Sequence, residues 1–153
     1  MKQRNFGRYI LSLVLVVGAV SSVGVDFNKT HIYNPAWPPH AVFHDLAMLN
    51  LLVCTSIIAL WLMWIKSTEP AIGLRAALLI VLSFWSAFFY TTTLFPISSL
   101  RATPEEWPGR RLPVIAGFTI YPNAAWGFLF VIVALVGYRI GMGEIKKAKN
   151  TLA

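Results

Sequence analysis

Four apolar segments divide the chain, and each is long enough to cross a membrane as a helix. They run over residues 9–25, 41–65, 71–95 and 122–140. A helix needs about 20 predominantly apolar residues to cross a hydrocarbon core roughly 30 Å thick. Backbone amides find no water in lipid, and runs such as ALLIVL lack the polar alternation of barrel strands, so each segment is predicted to be helical. The expected fold is an all-α integral membrane protein, a single domain built as a four-transmembrane-helix bundle.

Prolines indicate where the predicted helices begin and where the connecting loops lie. Pro39 and Pro122 suit helix starts, because proline is tolerated in the first turn of a helix and disrupts its interior. The first long loop covers residues 26–40. The second covers residues 96–121, and within it residues 114–121 are expected to form an interfacial or re-entrant piece.

Basic residues predict the orientation of the bundle. They cluster in the N-terminal arm, in the link after the second helix and in the C-terminal tail, at Lys2, Arg4, Arg8, Lys66, Arg75, Arg139, Lys146, Lys147 and Lys149. The first loop holds only Lys29. Because cytoplasmic loops carry the excess of lysine and arginine, we expect a protein integral to a cell membrane with both termini in the cytoplasm. The loop at residues 96–121 weakens this pattern, because it holds Glu105 and Glu106 as well as basic residues. The basic residues are Arg101, Arg110 and Arg111.

The composition supports the membrane interpretation and excludes other classes. The 153 residues are 57% hydrophobic and 12% charged, whereas soluble domains carry roughly 25% charged residues. The net charge of +7 is not gathered in one stripe, so no nucleic-acid partner is expected. A single cysteine, Cys54, rules out an intramolecular disulfide and a Cys-based zinc, iron–sulfur or c-type haem motif.

The first apolar segment has an alternative interpretation. It could be a cleaved signal peptide, because it starts basic and has small residues at 20–24. The apolar run is long for that purpose, however, and no A-x-A site follows.

Gly141 and Gly143 are expected to mark the end of the fourth helix. Neither a P-loop, a G-x-S-x-G elbow nor a G-x-G-x-x-G loop after a strand is present, which argues against a kinase or a hydrolase.

The second helix carries most of the ionisable and polar groups at membrane depth. Such groups are costly, tend to face the bundle interior and are functional candidates by default. At about 100° per residue, His40 and His44 lie roughly 40° apart on one face. Asn50 and Cys54 flank that face on one side, and Asp45 lies on the other.

His44 is the leading candidate for chemistry. It lies about one turn inside the predicted helix, where partial dehydration favours the neutral imidazole. A neutral imidazole is a ligand for a metal or a haem iron, or a general base; the alternative is an interfacial histidine bonded to a carbonyl or to water. His31, His40, His44 and Asp45 also suggest a zinc or iron site. Against it, H-E-x-x-H is absent and Asp45 points about 100° away from His44.

The third helix supplies an aromatic stretch, FWSAFFYTTTLFP, at residues 84–96. One interpretation is an interfacial aromatic belt whose threonines bond to their own backbone. The other is the wall of a dry pocket for a planar ligand, with Tyr90 as a hydrogen-bonding group. In that case Trp37 and Trp85 are expected to line the pocket.

The stretch His44-Asp-Leu-Ala-Met-Leu-Asn50 at the start of an apolar second helix, after a loop with histidine, proline and tryptophan, resembles the styrene oxide isomerases. That family consists of small, trimeric, four-span membrane isomerases that hold haem b through the second-helix histidine. Their ferric iron acts as a Lewis acid on an epoxide, which rearranges to an aldehyde.

The resemblance assigns a role to each candidate residue. It implies that His44 is the axial metal ligand, that Asn50 steadies the epoxide oxygen and that Tyr90 orients the substrate. The residues expected around the cofactor are His40, His44, Trp37 and Trp85. Three positions depart from the family, which has an acid near Ser83, a tyrosine offset by one residue from Tyr90, and a small residue at the position of Asp45.

The predicted function is therefore a haem-dependent isomerase of a small lipophilic epoxide. It implies haem b as cofactor, membrane lipid as surroundings and a homo-oligomer, a trimer by resemblance. Two alternatives stay open. One is a non-haem enzyme with a single divalent metal on His40 and His44. The other is a non-enzymatic membrane subunit or assembly factor with no cofactor, whose polar groups bond neighbouring helices.

Overall fold

The computed structural model describes residues 5–95, 100, 109 and 111–152. Over these residues the chain forms long helices and one small hairpin. In chain order the elements are α1 (Phe6–Asp26), α2 (Pro39–Trp64), α3 (Ala71–Trp85), α4 (Ala87–Leu94), β1 (Val114–Ile115), β2 (Phe118–Thr119) and α5 (Pro122–Leu152). Of the charged residues used above, Lys2, Arg4, Arg101, Glu105, Glu106 and Arg110 lie outside the described residues.

Four helical stretches are long and apolar enough to cross a membrane. They are Phe6–Asp26, Pro39–Trp64, Ala71–Leu94 and Pro122–Thr151. They pack together as a bundle, so the predicted all-α, four-span membrane fold is confirmed. The third span is interrupted at Ser86, which separates α3 from α4.

The helices are arranged as a rhombus in cross-section. α1 packs chiefly on α5, and α3 packs on both α2 and α5. α1 and α3 also touch each other and lie on the short diagonal. Within the described residues α2 contacts α1 and α3 and neither α4 nor α5. One side of α2 is therefore left uncovered.

Small and branched side chains fill the centre of the bundle. Leu11, Ala59, Leu74, Ala77 and Ala134 are fully buried there. Small residues let helix backbones approach closely, which is the main source of packing energy between helices in lipid. The bundle core is therefore dense around α1, α3 and α5, the helices that meet at its centre.

Glycines bring α1 and α5 into backbone contact. A Cβ atom added to Gly7 would lie 2.2 Å from the Gly141 nitrogen and 2.6 Å from the Gly137 oxygen. Gly137 and Gly141 are four residues apart, the spacing of a small-xxx-small packing face. The expectation that Gly141 and Gly143 end the fourth helix is wrong: α5 continues to Leu152. Gly141 allows this contact instead of terminating the helix.

The continuation of α5 also caps the N-terminus of α1. The Glu144 carboxylate accepts hydrogen bonds from the backbone nitrogens of Phe6 (3.0 Å) and Gly7 (3.2 Å). The first backbone N–H groups of a helix have no partner within the helix, and a negative charge is favoured beside them. Since Asn5 gives no side-chain cap, α5 supplies one from a distant part of the sequence.

The loop before α5 forms a short antiparallel hairpin. Val114 pairs with Thr119 and Ile115 with Phe118. Ala116 and Gly117 form the turn with positive φ values of 50° and 82°. The segment predicted as interfacial or re-entrant is thus a hairpin with exposed apolar side chains.

We predict that Gly7→Ala weakens the bundle and that Gly24→Ala does not. The added methyl group at Gly7 must push the α5 backbone away, and overpacking of this kind costs about 1–3 kcal/mol. Gly24, on the same helix, has nothing within 4 Å of an added Cβ. Thermal unfolding of the two variants in the same detergent measures the difference. Equal unfolding temperatures would contradict the close α1–α5 contact.

We predict that Glu144→Ala destabilises the protein by about 1 kcal/mol, the usual cost of removing a helix cap. Lys147→Ala, one turn further along α5, is the matched control, because its exposed side chain carries no capping contact with α1. Thermal unfolding of both variants provides the measurement. Glu144→Gln is expected to fall between wild type and Glu144→Ala, since an amide oxygen still accepts a hydrogen bond and carries no charge.

Candidate functional site

Polar groups near the start of α2 lie on two different faces of the helix. On the outward face, His40 and His44 stand side by side, with their Nε2 atoms 3.0 Å apart. Both side chains are exposed. Phe43 packs against both imidazole rings, with centroids 6.4 Å from His40 and 5.6 Å from His44. The spacing of i and i+4 on a helix makes this pairing possible.

The contact between the two imidazoles restricts which of the facing ring nitrogens carries a proton. A hydrogen bond between two ring nitrogens requires one ring to donate and the other to accept. The accepting ring holds a lone pair toward its neighbour and is therefore neutral at that nitrogen. A neutral imidazole of such a pair can offer a nitrogen lone pair to a metal.

Asp45 faces inward, unlike the two histidines. The buried face of α2 consists of Leu49, Leu52, Ser56, Ala59 and Met63, and Asp45 lies one turn before Leu49 on that face. Its Oδ2 atom is buried without a hydrogen-bond partner among the described residues. The expectation that ionisable groups face the bundle interior therefore holds for Asp45 and not for the histidine pair.

A second polar group forms around Asp45 at this end of the bundle. His31 lies 3.7 Å from Asp26, between the imidazole Nε2 and a carboxylate oxygen. The other ring nitrogen of His31 is 2.8 Å from the Thr30 hydroxyl. Asp45 interacts electrostatically with both Asp26 and His31. The end of α1, the following loop and the inner face of α2 thus bring two carboxylates and one imidazole together.

The loop between α1 and α2 is folded by its own polar side chains. Asn28 accepts a hydrogen bond from the Thr30 nitrogen at 2.6 Å, and the buried Asn34 accepts one from the Ala36 nitrogen at 3.0 Å. Asparagine commonly forms such turns by bonding to the backbone two residues further on. These turns place Trp37 against His31, with ring centroids 5.4 Å apart.

The predicted four-residue metal set is divided by this arrangement. His40 and His44 lie outside the bundle, whereas His31 and Asp45 belong to the inner group. Within residues 5–95, 100, 109 and 111–152 there is no group of three or more histidine, cysteine, aspartate or glutamate side chains that could hold a metal. Among the described residues, the outer pair therefore offers two imidazoles to one ion and has no third side chain of these types beside it.

Asn50 extends the outer pair along α2. It is exposed, and its carboxamide oxygen is 3.7 Å from the Cys54 sulfur. Six residues separate it from His44, or about 9 Å along the helix and roughly 120° around its axis, with His40 and Cys54 at intermediate angles. His40, His44, Asn50 and Cys54 therefore form one broad polar region, here called the outer strip, on the uncovered side of α2.

The remaining predicted site residues do not join the outer strip in one protomer. Trp85 is buried in the core, with ring centroids 5.3 Å from Phe88 and 4.7 Å from Phe130. Trp37 belongs to the inner group, beside His31. Tyr90 is exposed on α4, a helix that does not touch α2 within the described residues. Their assigned roles stay predictions.

Asp26 is the polar residue that sequence reasoning missed. The sequence pattern gives it no role beyond that of first residue in the loop at 26–40. The signal that could have found it is its position five residues before His31, in a loop rich in asparagine and proline that folds back on itself. A carboxylate at the end of one helix and another near the start of the next are brought together whenever the connecting loop is compact.

Comparison with curated proteins finds no match, and comparison with solved structures finds none either. A family model does match, and it covers residues 10–149, nearly the whole chain. The matched region includes the second and third spans, most of the first and fourth, the outer strip and the inner group. The chain therefore belongs to DUF6640, a family of unknown function.

Proposed function

We propose that the protein is a membrane-embedded isomerase that binds haem b through His44 and converts a small lipophilic epoxide to an aldehyde. The observation that carries the proposal is the exposed imidazole pair of His40 and His44, whose Nε2 atoms are 3.0 Å apart on the uncovered side of α2. An apolar substrate dissolved in the bilayer reaches this side of the helix directly. Both termini are assigned to the cytoplasm on the distribution of basic residues.

The residues on the outer strip fit a haem ligand better than the third histidine does. His31 is engaged at both ring nitrogens, by Thr30 and by Asp26. The Nε2 atom of His44 contacts another imidazole, which can turn away. Ala47, Met48 and Leu51 follow His44 at helical spacing and are exposed. These apolar side chains offer a flat surface on which a planar, hydrophobic group can lie.

The chemistry asked of the chain's own residues is modest. Ferric haem, when bound, supplies a Lewis acid that polarises an oxygen without a proton relay. Isomerisation of an epoxide to an aldehyde neither adds nor removes atoms, so no further reactant is needed. Asn50 can donate a hydrogen bond from its carboxamide to the substrate oxygen, and the apolar neighbours exclude water.

A second copy of the chain completes the site in this proposal. A cofactor on the outer strip would have its free face toward lipid, and polar groups in lipid gain from pairing across helices. Tyr90 reaches the site only from another copy, because α4 does not contact α2 within the described residues. A homo-oligomer follows, and the resemblance to styrene oxide isomerases makes it a trimer.

The spacing of the imidazoles favours one alternative, a non-haem metal enzyme. Zinc–nitrogen bonds of about 2.0–2.1 Å at tetrahedral angles place two ligating nitrogens roughly 3.3 Å apart. The Nε2 atoms of His40 and His44 are 3.0 Å apart, so a small movement of the two side chains lets both bind one ion. Such an ion takes its remaining ligands from water, substrate or another copy.

The outer strip equally favours a non-enzymatic membrane subunit. Four polar side chains on an uncovered helix face suit hydrogen bonding to a neighbouring transmembrane helix. In that case neither cofactor nor metal is bound, and His40, His44 and Asn50 are interface residues.

An absorption spectrum and a metal analysis of the purified protein separate the three proposals. The haem enzyme shows a Soret band that His44→Ala removes and that His40→Ala and the control His31→Ala retain. The non-haem enzyme is colourless or weakly coloured, with one zinc or iron per protomer, and loses it in both His40→Ala and His44→Ala. Protein without haem or metal, after growth with ample iron and haem precursor, contradicts both enzyme proposals.

Cross-linking through Cys54 tests whether a second copy of the chain contacts the outer strip. Cys54 is exposed on the outer strip, so a short bismaleimide added to membranes is expected to link two chains through it. Cys54→Ser removes the product. The control Cys54→Ser combined with Leu135→Cys, on the exposed side of α5, is expected to give little. Linkage from α5 but not from Cys54 would show that the outer strip is not the contact between copies.

A further inference from the structure

An open groove lies between α1 and α2, near the middle of the two helices. Its volume is about 290 Å³. Its walls are valine, leucine, isoleucine and alanine side chains, among them Ala19 and Val20 of α1 and Val53 and Ile57 of α2. Ser56 contributes the single polar side chain of the lining. No charged side chain lines the groove, so its occupant is neutral and largely apolar.

Ser56 distinguishes this groove from a simple packing gap. Its side chain is 3% exposed, and among the described residues its hydroxyl has no hydrogen-bond partner. Two other helical hydroxyls bond to their own backbone: Thr55 to the Leu51 oxygen at 2.7 Å and Ser21 to the Gly18 oxygen at 3.1 Å. A buried hydroxyl without a partner is costly, and the cost is removed when the Ser56 side chain rotates toward the groove and a ligand there supplies an acceptor.

The groove opens sideways toward lipid. Val16, Val20 and Ile57 line it and are 46%, 68% and 59% exposed. A molecule dissolved in the bilayer can therefore enter without crossing a polar surface. The volume lies near the lower end of the range of about 300–1,000 Å³ for small-molecule pockets. The occupant is accordingly a small molecule of one or two rings, or a short chain, and not a complete lipid.

We propose that the groove between α1 and α2 binds a small, neutral, lipophilic molecule that carries one oxygen acceptor, held by a hydrogen bond from Ser56. The site is separate from the outer strip. Ser56 is twelve residues after His44, about 18 Å along α2 and roughly 120° around its axis. The proposal of a ligand in the groove therefore does not depend on the haem and metal proposals.

Two probes of nearly equal shape test the hydrogen bond. 2-Acetylnaphthalene carries a ketone oxygen, and 2-isopropenylnaphthalene has a methylene group in its place. Both are titrated into the full-length protein in detergent, and the affinity is obtained from the rise in unfolding temperature, since a ligand of the folded state stabilises it by mass action. The ketone is expected to bind about fivefold more tightly, as one net hydrogen bond predicts.

Three variants locate the binding. Ser56→Ala is expected to abolish the preference for the ketone and to leave the affinity for the alkene unchanged. Ser21→Ala, which removes a hydroxyl already bonded to its own helix, is the matched control and retains the preference. Val20→Phe fills the groove from its exposed edge, where folding is little affected, and is expected to weaken both probes about tenfold or more.

Several results would overturn the proposal. Equal affinity of the two probes for wild type, or a ketone preference that survives Ser56→Ala, shows nonspecific partition into the bundle. Unchanged binding in Val20→Phe places the probes elsewhere. If neither probe binds wild type and Val20→Phe dissociates the oligomer, a helix of another copy fills the groove instead.

Discussion

Lipid offers no hydrogen bonds, so every polar group at membrane depth has to be satisfied by protein, ligand or trapped water. The chain meets this constraint in different ways at different places. At the beginning of α1 the free backbone N–H groups are bonded by Glu144 of α5. On α2, by contrast, the His40–His44 pair, Asn50 and Cys54 bond chiefly to one another. The N–H groups at the start of α1 thus have hydrogen-bond partners in the protein, whereas the polar side chains along α2 keep unused hydrogen-bonding capacity.

The contact between α1 and α5 determines which surfaces remain open. Gly7 and Gly141 bring the two helices into backbone contact, and the Glu144 cap holds the same ends together. α3 then fills the space on the other side of α5 and α1, where Leu74 and Ala77 are fully buried. α2 is packed on this three-helix unit from one side only. Its outward face and the groove beside α1 both follow from that asymmetry.

The number, class and approximate extent of the spans could be predicted from hydropathy alone. The continuation of α5 to Leu152 could not, because a glycine pair followed by lysines is typical of a helix end. What keeps this part of α5 helical is long-range: Gly141 fits against Gly7, and Glu144 caps a helix more than a hundred residues earlier in the sequence. Local patterns carry no information on such partners.

The candidate site was predictable in its residues and not in its orientation. Helical spacing correctly puts His40 and His44 on one face of α2 and Asp45 on another. It cannot say which face is covered, because α2 is apolar nearly all round and offers no hydrophobic stripe to align. Only the packing of α1 and α3 shows that Leu49, Leu52 and Ala59 face inward. Asp45 then lies inside, near His31 and Asp26, and the imidazole pair outside.

Within the described residues, an uncovered imidazole pair and a buried hydroxyl without a hydrogen-bond partner lie on the same helix, α2. The other three spans pack on one another through glycine, alanine and leucine contacts. α2 has unused polar capacity on two faces: lone pairs and N–H groups on the outer strip, and the Ser56 hydroxyl in the groove. In a solvent without hydrogen bonds such capacity is costly to maintain. A partner for each face offsets that cost, and the two faces are far enough apart to take different partners.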